Sequence, residues 1–257
     1  MIDIHNHILI GADDGPKTKE DTINLITQAK EEGVTSIVAT PHHLHTRYNN
    51  PINDVKSKVN ELLSFEEIKQ LGIDIYYGQE IRITDQILPD IKNGNITGIN
   101  NSRYLLIELP SNEVPHYTQN LMNELQVLGY TPIIVHPERN RAIAQNLDLL
   151  FELINGGALS QITSTSLNGN MGKNVKKVTL QMMDNNLTHF IASDAHSVNE
   201  RPFLMQTLLN NKSLKNYRDK IRELIENANL IVKDKKVTKQ IPTQNYKHKK
   251  RFGIFKK

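Results

Sequence analysis

The sequence predicts an α/β protein of parallel strands, a seven-stranded barrel in preference to an open doubly wound sheet. Three observations carry that expectation. Seven β-rich runs of four to six residues recur along the chain. Helical patterns long enough for crossovers separate them, which favours parallel pairing. Each run stops at a histidine, a carboxylate or a polar cluster, as strands do when they end at one functional mouth.

The strands are expected at Ile2–His5, Ser36–Thr40, Asp74–Tyr77, Tyr104–Leu109, Thr131–Val135, Gln161–Thr165 and Thr188–Ala192. All are rich in Ile, Val, Leu, Tyr or Thr and bounded by Gly, Pro or polar residues. Between them, Lys19–Glu32 places Ile23, Ile26 and Ala29 near one face, with Thr18 and Asp21 as a capping pair and Gly33 as the stop. Residues 54–71 carry Val55, Val59, Leu62, Leu63 and Ile68 before Gly72. Further helices are expected over 117–128, 143–154, 175–186, 202–210 and 214–228. No G-x-G-x-x-G follows a strand, which argues against a dinucleotide-binding sheet. Gly172-Lys173 lacks the rest of a P-loop.

Composition narrows the chemistry. The chain of 257 residues holds no cysteine, which excludes disulfides, thiolate metal sites and a cysteine nucleophile. No apolar run reaches the ~20 residues of a membrane helix, and the N-terminus lacks the signature of a signal peptide. A cytoplasmic location is expected. Residues 233–257 hold ten Lys or Arg and one acid, Asp234; that segment is +9 and the rest sums to −6, within a net charge of +3. The expected organisation is therefore a catalytic body over 1–232 and a basic tail over 233–257, poorly ordered unless bound. The acidic body argues against nucleic acid as a partner. Lys247, Lys249, Lys250 and Arg251 beside Phe252, Ile254 and Phe255 suit weak contact with an anionic membrane, against the plainer reading of a solvated tail.

The strand ends carry the site. The first run gives His5 and His7, whose spacing puts both on one face. Asp13 and Asp14 follow one loop later, Asp14 being the candidate ligand although Asp-Asp-Gly is also good turn chemistry. The later strand ends supply His42, Glu80, Glu108, His136, and then Asp194 with His196. In a parallel barrel these would converge, and so many buried polar groups need partners. Nine ligands exceed what one ion takes, so two or three divalent ions are implied. Imidazole and carboxylate without thiolate suit Mn, Fe or Zn. Such a cluster attracts a phosphate dianion and acidifies water. Arg139 and Arg201 flank the ligands and suit phosphate binding, although Arg139 could instead pair with Glu138. The expected reaction is phosphomonoester hydrolysis, with His42 or a bound water as candidate general acid. His43 and His45 read as loop or rim groups, His116 and His189 as structural, and Ser164-Thr165-Ser166 as a hydrogen-bonding element at the mouth.

Taken together, His5-Asn6-His7, Asp13-Asp14-Gly15, Thr40-Pro41-His42-His43, Gly78-Gln79-Glu80-Ile81-Arg82, Leu106-Ile107-Glu108, His136-Pro137-Glu138-Arg139, the segment Ser164 to Gly169 and Ser193-Asp194-Ala195-His196 resemble the polymerase and histidinol phosphatase (PHP) superfamily. Within it they are most similar to the bacterial tyrosine-protein phosphatases of capsule and exopolysaccharide operons, in order from residue 2 to about 230. The resemblance implies a distorted, TIM-like seven-stranded β/α barrel and a trinuclear, usually manganese-dependent centre. By that analogy His5, His7, Glu80 and Asp194 hold one ion, Glu80, Glu108 and His136 a second, and Asp14, His42 and His196 a third, with Arg139 and Arg201 on the phosphate. The implied substrate is phosphotyrosine in the tail of a membrane-associated tyrosine kinase, met at the inner face of the membrane. The alternative is a small phosphomonoester such as histidinol phosphate. Met171 and Phe203 depart from the pattern and are expected at the rim that receives the substrate ring.

Overall fold

The computed structural model describes residues 1–246; the membrane-contact cluster Lys247, Lys249, Lys250, Arg251, Phe252, Ile254 and Phe255 lies outside the described residues. Among these, nine short strands pair in parallel throughout. They are β1 (Ile2–Asp3), β2 (Ser36–Ala39), β3 (His42–His43), β4 (Asp74–Tyr77), β5 (Glu80–Arg82), β6 (Tyr104–Glu108), β7 (Thr131–Val135), β8 (Leu159–Thr163) and β9 (Phe190–Ala192). The order is β1-β2-β4 in one sheet and β3-β5-β6-β7-β8-β9 in the other.

The α/β class and the parallel pairing follow the expectation. A single seven-stranded sheet closed on itself does not appear among the described residues. The reason lies at two interruptions. The second expected strand breaks at Thr40-Pro41, where proline has no N–H for the ladder, and the third breaks at Gly78-Gln79. Hydrogen bonds still cross the seam: Gly78 N–H donates to Ala39 O at 2.9 Å and Glu80 N–H to Pro41 O at 3.1 Å. At the far edges an isolated parallel bridge joins Asn6 to Ala195. Around it Asp194 N–H donates to His5 O at 2.7 Å and His7 N–H to Ala195 O at 2.8 Å.

The helices follow the apolar spacing with local corrections. Helix α1 (Lys19–Glu31) buries Leu25, Ile26 and Ala29, and Thr18 caps it by accepting from the Asp21 N–H at 3.1 Å. The expected helix over 54–71 is two, Ile52–Ser64 and Glu66–Leu71, because Phe65 turns extended between them. Gly72 ends the second at φ +66°, a conformation glycine adopts without steric cost. The sixth strand runs two residues earlier than expected, and Ser164–Asn168 is a helix capped by Thr163.

Successive strand residues face opposite ways, so each strand feeds two apolar clusters. Ile37, Ile107 and Ile134 pack outward against the helices with Leu25 and Ile26. Ile4, Val38, Leu106, Ile133, Val135 and Phe190 pack together on the other face. Ala228, Ile231, Val232 and Val237 complete that second cluster where the strands begin. The strand C-terminal ends are thereby left for the site.

The tail expectation needs correction for 233–246. This stretch forms no strand or helix, yet it is bonded to the body. Asp234 pairs with Arg103 at 2.9 Å, and Lys235 O accepts from the Tyr104 hydroxyl at 2.7 Å. Thr243 N–H donates to Asn185 O at 2.9 Å, and the Tyr246 hydroxyl to Asp148 at 2.8 Å. Composition marked the charge but not the apolar anchors Val237 and Tyr246.

His189 is structural, as expected. It is buried, and its Nδ1 accepts from the Ser160 N–H at 3.1 Å. Burial, with Lys239 and Lys220 adding, pushes its pKa down from 6.5 to about 3. The unfolded chain therefore binds the extra proton between those values. Stability is full above pH 6.5 and falls toward pH 3 by up to about 1.4 kcal/mol per pH unit from this group. In His189→Asn, which keeps an acceptor and removes the titration, urea melts should show a shallower loss of stability from pH 6.5 to 4. An unchanged slope would assign that loss to other groups.

Candidate metal centre

The predicted site residues converge at the strand C-terminal ends. His42 lies on β3, Glu80 on β5 and Glu108 ends β6. His5 and His7 follow β1, His136 follows β7, and Asp194 and His196 follow β9. His136 and Asp194 sit at φ +35° and +54°, the left-handed region that non-glycine residues rarely occupy. Such turns persist where surrounding contacts fix them. Here His136 N–H donates to Gln161 O at 2.7 Å, and Asp194 N–H is tied to His5 O.

Glu80 is the hub. Its Oε1 lies 2.7 Å from His136 Nε2. Its Oε2 lies 2.9 Å from His42 Nδ1, 3.2 Å from His7 Nε2 and 3.3 Å from His5 Nε2. Asp194 Oδ1 stands 3.5 and 3.4 Å from the same His5 and His7 nitrogens. Asp14 Oδ1 faces His196 Nε2 at 3.3 Å and His42 Nε2 at 3.5 Å. Glu108 pairs with Arg82 at 3.0 Å and reaches His42 at 3.9 Å. All nine candidate ligands are thus brought together. Four groupings have ligand atoms close enough for one ion: His7, Asp14, His42 and His196; His5, His7 and Glu80; His5, His136 and Asp194; His42, Glu80 and Glu108.

The unsatisfied atoms are what test the fit of metal ions. His5 Nε2, His7 Nε2, His42 Nδ1, His196 Nε2, Glu80 Oε2, Glu108 Oε2 and Asp194 Oδ1 are buried without a well-formed hydrogen bond. Leaving so many polar atoms unsatisfied is costly, and all point into one cluster. Burial alone would raise the Glu80 carboxyl, but His5, His42 and His136 outweigh it and hold it well below the usual range. Burial likewise opposes ionisation of Asp194, and Arg139, Arg201 and His5 outweigh it. Burial and the neighbouring Glu80 charge push Glu108 up. Burial lowers His42, yet Glu80 and Asp14 carry it to about 10. Imidazole nitrogens and carboxylate oxygens left without hydrogen bonds and facing one cluster are a donor set that divalent ions fit.

A second tier of residues orients the first. Asp13 Oδ2 meets His7 Nδ1 at 2.6 Å and accepts the His42 N–H at 3.0 Å. Burial opposes its ionisation, but His7 and the N–H groups of Gly15 and His42 hold it down at about 2. The His7 Nδ1 proton is thus fixed and Nε2 is turned inward. Gln161 Oε1 does the same for His5 Nδ1 at 2.8 Å. Asp3 accepts from the Ser193 N–H at 2.7 Å and hydroxyl at 2.8 Å, and from Asn6 at 2.8 Å, clamping the ends of β1 and β9 together. Sequence reasoning missed all three roles. The available signal was polar residues at buried strand positions, Asp3 and Gln161, which a strand must satisfy.

Gly15 has a steric reason. A Cβ there would stand 2.1 Å from His7 O. Gly15→Ala must shift the loop that carries Asp13 and Asp14, and a displacement of about 1 Å can cost ~100-fold in rate. We expect that loss of turnover with secondary structure by circular dichroism intact; a fully active variant would show the loop to be dispensable.

Arg139 and Arg201 each place Nη2 on Asp194 Oδ2. Neither pairs with Glu138, whose Oε1 instead accepts from Thr163 N at 2.9 Å. The arginines also line a cavity of about 300 Å³ with His42, His45 and Glu80. A wider groove of about 930 Å³ meets the same site at Asp14, His196 and Arg201 and runs along α1. His45 is a rim group, whereas His43 is buried and paired with Asp90 at 3.0 Å. Phe203 is fully buried in the core, not at the rim; Met171 is exposed.

Parallel strands delivering a carboxylate–imidazole cluster and two arginines to one mouth define an α/β protein of the metal-site class. The chain belongs to the family "Capsular polysaccharide synthesis, CpsB/CapC", whose model matches residues 1–233. It is 60% identical over 254 residues to the putative tyrosine-protein phosphatase CapC of Staphylococcus aureus, covering 99% of this chain and 100% of that one. It is 40% identical over 258 residues to the tyrosine-protein phosphatase YwqE of Bacillus subtilis, again covering 99% and 100%. A solved structure from work on YwqE of Bacillus subtilis and CpsB of Streptococcus pneumoniae, described as unique metal-dependent tyrosine phosphatases, matches with a TM-score of 0.89. That match is 39% identical and covers 94% of this chain and 98% of the other.

Proposed function

We propose that the chain is a metal-dependent protein-tyrosine phosphatase that hydrolyses phosphotyrosine on a bacterial tyrosine kinase and so regulates capsular or exopolysaccharide assembly. The observation that carries this is the set of unsatisfied, buried ligand atoms around Glu80, beside two arginines, in a chain so similar to proteins named tyrosine-protein phosphatases. Manganese is the proposed ion, with Fe or Zn compatible with the donor set. The same reading takes the two sheets as one distorted barrel, drawn together by the Asn6–Ala195 bridge. It places the enzyme in the cytoplasm; no helix among the described residues is long and apolar enough to cross a membrane.

His5, His7, Asp14, His42, Glu80, Glu108, His136, Asp194 and His196 would hold the ions. When bound, the ions supply Lewis-acid stabilisation of phosphoryl oxygens and an acidified water. The chain does the rest. Arg139 and Arg201 each keep guanidinium N–H groups beyond the one on Asp194, and these bind and orient the phosphate. Asp13 and Gln161 hold His7 and His5 in the tautomer that faces the cluster. Both ring nitrogens of His42 face carboxylates, which favours ligation over the general-acid role. Water attacks phosphorus, the phosphorus–oxygen bond to the ring breaks, and the tyrosine oxygen takes a proton.

The test is manganese-dependent phosphate release from a phosphotyrosine peptide, a phosphoserine peptide and histidinol phosphate. Phosphotyrosine should be turned over fastest. Equal or faster release from histidinol phosphate would defeat the protein-phosphatase assignment.

A further inference from the structure

The turn between β3 and the helix Ile52–Ser64 has no part in the ligand set, yet it stands at the mouth of the site. His45 and Arg47 line the 300 Å³ cavity together with Arg139 and Arg201. Three rings lie nearly parallel there. His42 and His45 have centroids 4.8 Å apart with planes at 23°. His45 and Tyr48 are 5.4 Å apart at 17°, and His42 and Tyr48 are 6.0 Å apart at 6°. Centroids 4.8 and 5.4 Å apart are offset stacks, so His45 overlies both His42 and Tyr48, and the 6.0 Å between His42 and Tyr48 is too short for the ends of a three-ring column. Arg47 lies over Tyr48, its guanidinium carbon 5.3 Å from the ring centroid.

The turn is built to hold this shape. Leu44 adopts φ +56°, the left-handed region that a branched residue avoids unless its surroundings fix it. Its N–H donates to Asn49 Oδ1 at 3.3 Å, and its side chain packs on the core. Tyr48 N–H donates to His45 O at 3.2 Å and Arg47 N–H to His45 Nδ1 at 3.3 Å. Asn50, buried, ties the turn's end to Ala12 O at 3.1 Å and His42 O at 2.8 Å. His45 and Tyr48 are only partly buried, so core packing does not account for the cluster.

We propose that residues 44–49 form an aryl-binding wall, with His45 as the face met by the substrate ring and Tyr48 as its backing, so that the site selects aryl over alkyl phosphomonoesters. This rests on the phosphotyrosine reading above and supplies its selectivity. His45 lines the same cavity of about 300 Å³ as Arg139 and Arg201, so a phosphate held by the two arginines brings its ester group into the space that the His45 ring borders. Offset stacking of a phenyl ring there adds affinity that a serine or glycerol chain cannot collect.

The experiment measures kcat/KM for phosphotyrosine and phosphoserine with manganese-loaded full-length protein, comparing wild type with His45→Ala, Tyr48→Ala and Tyr48→Phe. The aryl-to-alkyl ratio should fall about tenfold in the two alanine variants, through KM for phosphotyrosine, and hold in Tyr48→Phe. Inhibition of the wild type gives an independent reading: phenylphosphonate should bind about tenfold more tightly than methylphosphonate. A ratio unchanged in both alanine variants, or equal binding of the two phosphonates, overturns the wall while leaving the phosphatase reading intact. A wild type that prefers phosphoserine overturns both.

Discussion

Glu80→Ala should lower turnover at least ~10³-fold and strip bound metal, the largest loss from any single substitution in the site. The reason is its position. Among the described residues Glu80 alone of the carboxylates touches four imidazoles, from three strand ends: His5 and His7 after β1, His42 on β3 and His136 after β7. Removing it takes the shared anion from the centre of a buried cluster and leaves unpaired nitrogens crowded together. Breaking a buried charge cluster from one side is strongly unfavourable. Glu80→Gln keeps the volume and loses the charge, so it should fall between. The check is metal content by elemental analysis, phosphate release and a thermal melt on one preparation. Wild-type metal content with turnover within tenfold would remove Glu80 from the hub.

The site was readable because parallel strands carry their C-terminal residues to one place. His5, His42, Glu80, His136 and Asp194 could be gathered from the ends of apolar runs without knowing any long-range contact. What orients them was not readable. Asp13 meets His7 across six residues and Gln161 meets His5 across 156, and neither distance is encoded in local periodicity. The strand breaks follow a similar logic. Thr40-Pro41 announces an interrupted ladder, but β5 is only three residues, Glu80–Arg82, and reads as a loop until its neighbours are placed beside it. For the tail, charge outweighed two apolar anchors. Val237 completes a core cluster that only the fold assembles.

The arginines pose the sharpest remaining question, because sequence pointed them at phosphate and the structure also points them at Asp194. The two roles separate experimentally. Arg201 is the more exposed of the pair, with a side chain 32% accessible against 20% for Arg139. Both carry a neighbour charge that holds Asp194 ionised, with Arg139 the larger contributor. Arg201→Lys should therefore raise KM and the inhibition constant of inorganic phosphate by about 10–100-fold, since lysine offers a point charge in place of a planar fork. Metal content should stay near wild type. Arg139→Ala should lower metal content as well as turnover, because Asp194 loses the less exposed of its two guanidinium partners. If both arginines served only to anchor Asp194, either substitution would loosen the metal and neither would change phosphate inhibition once metal was saturating. An Arg201→Lys enzyme with the wild-type inhibition constant would establish that case.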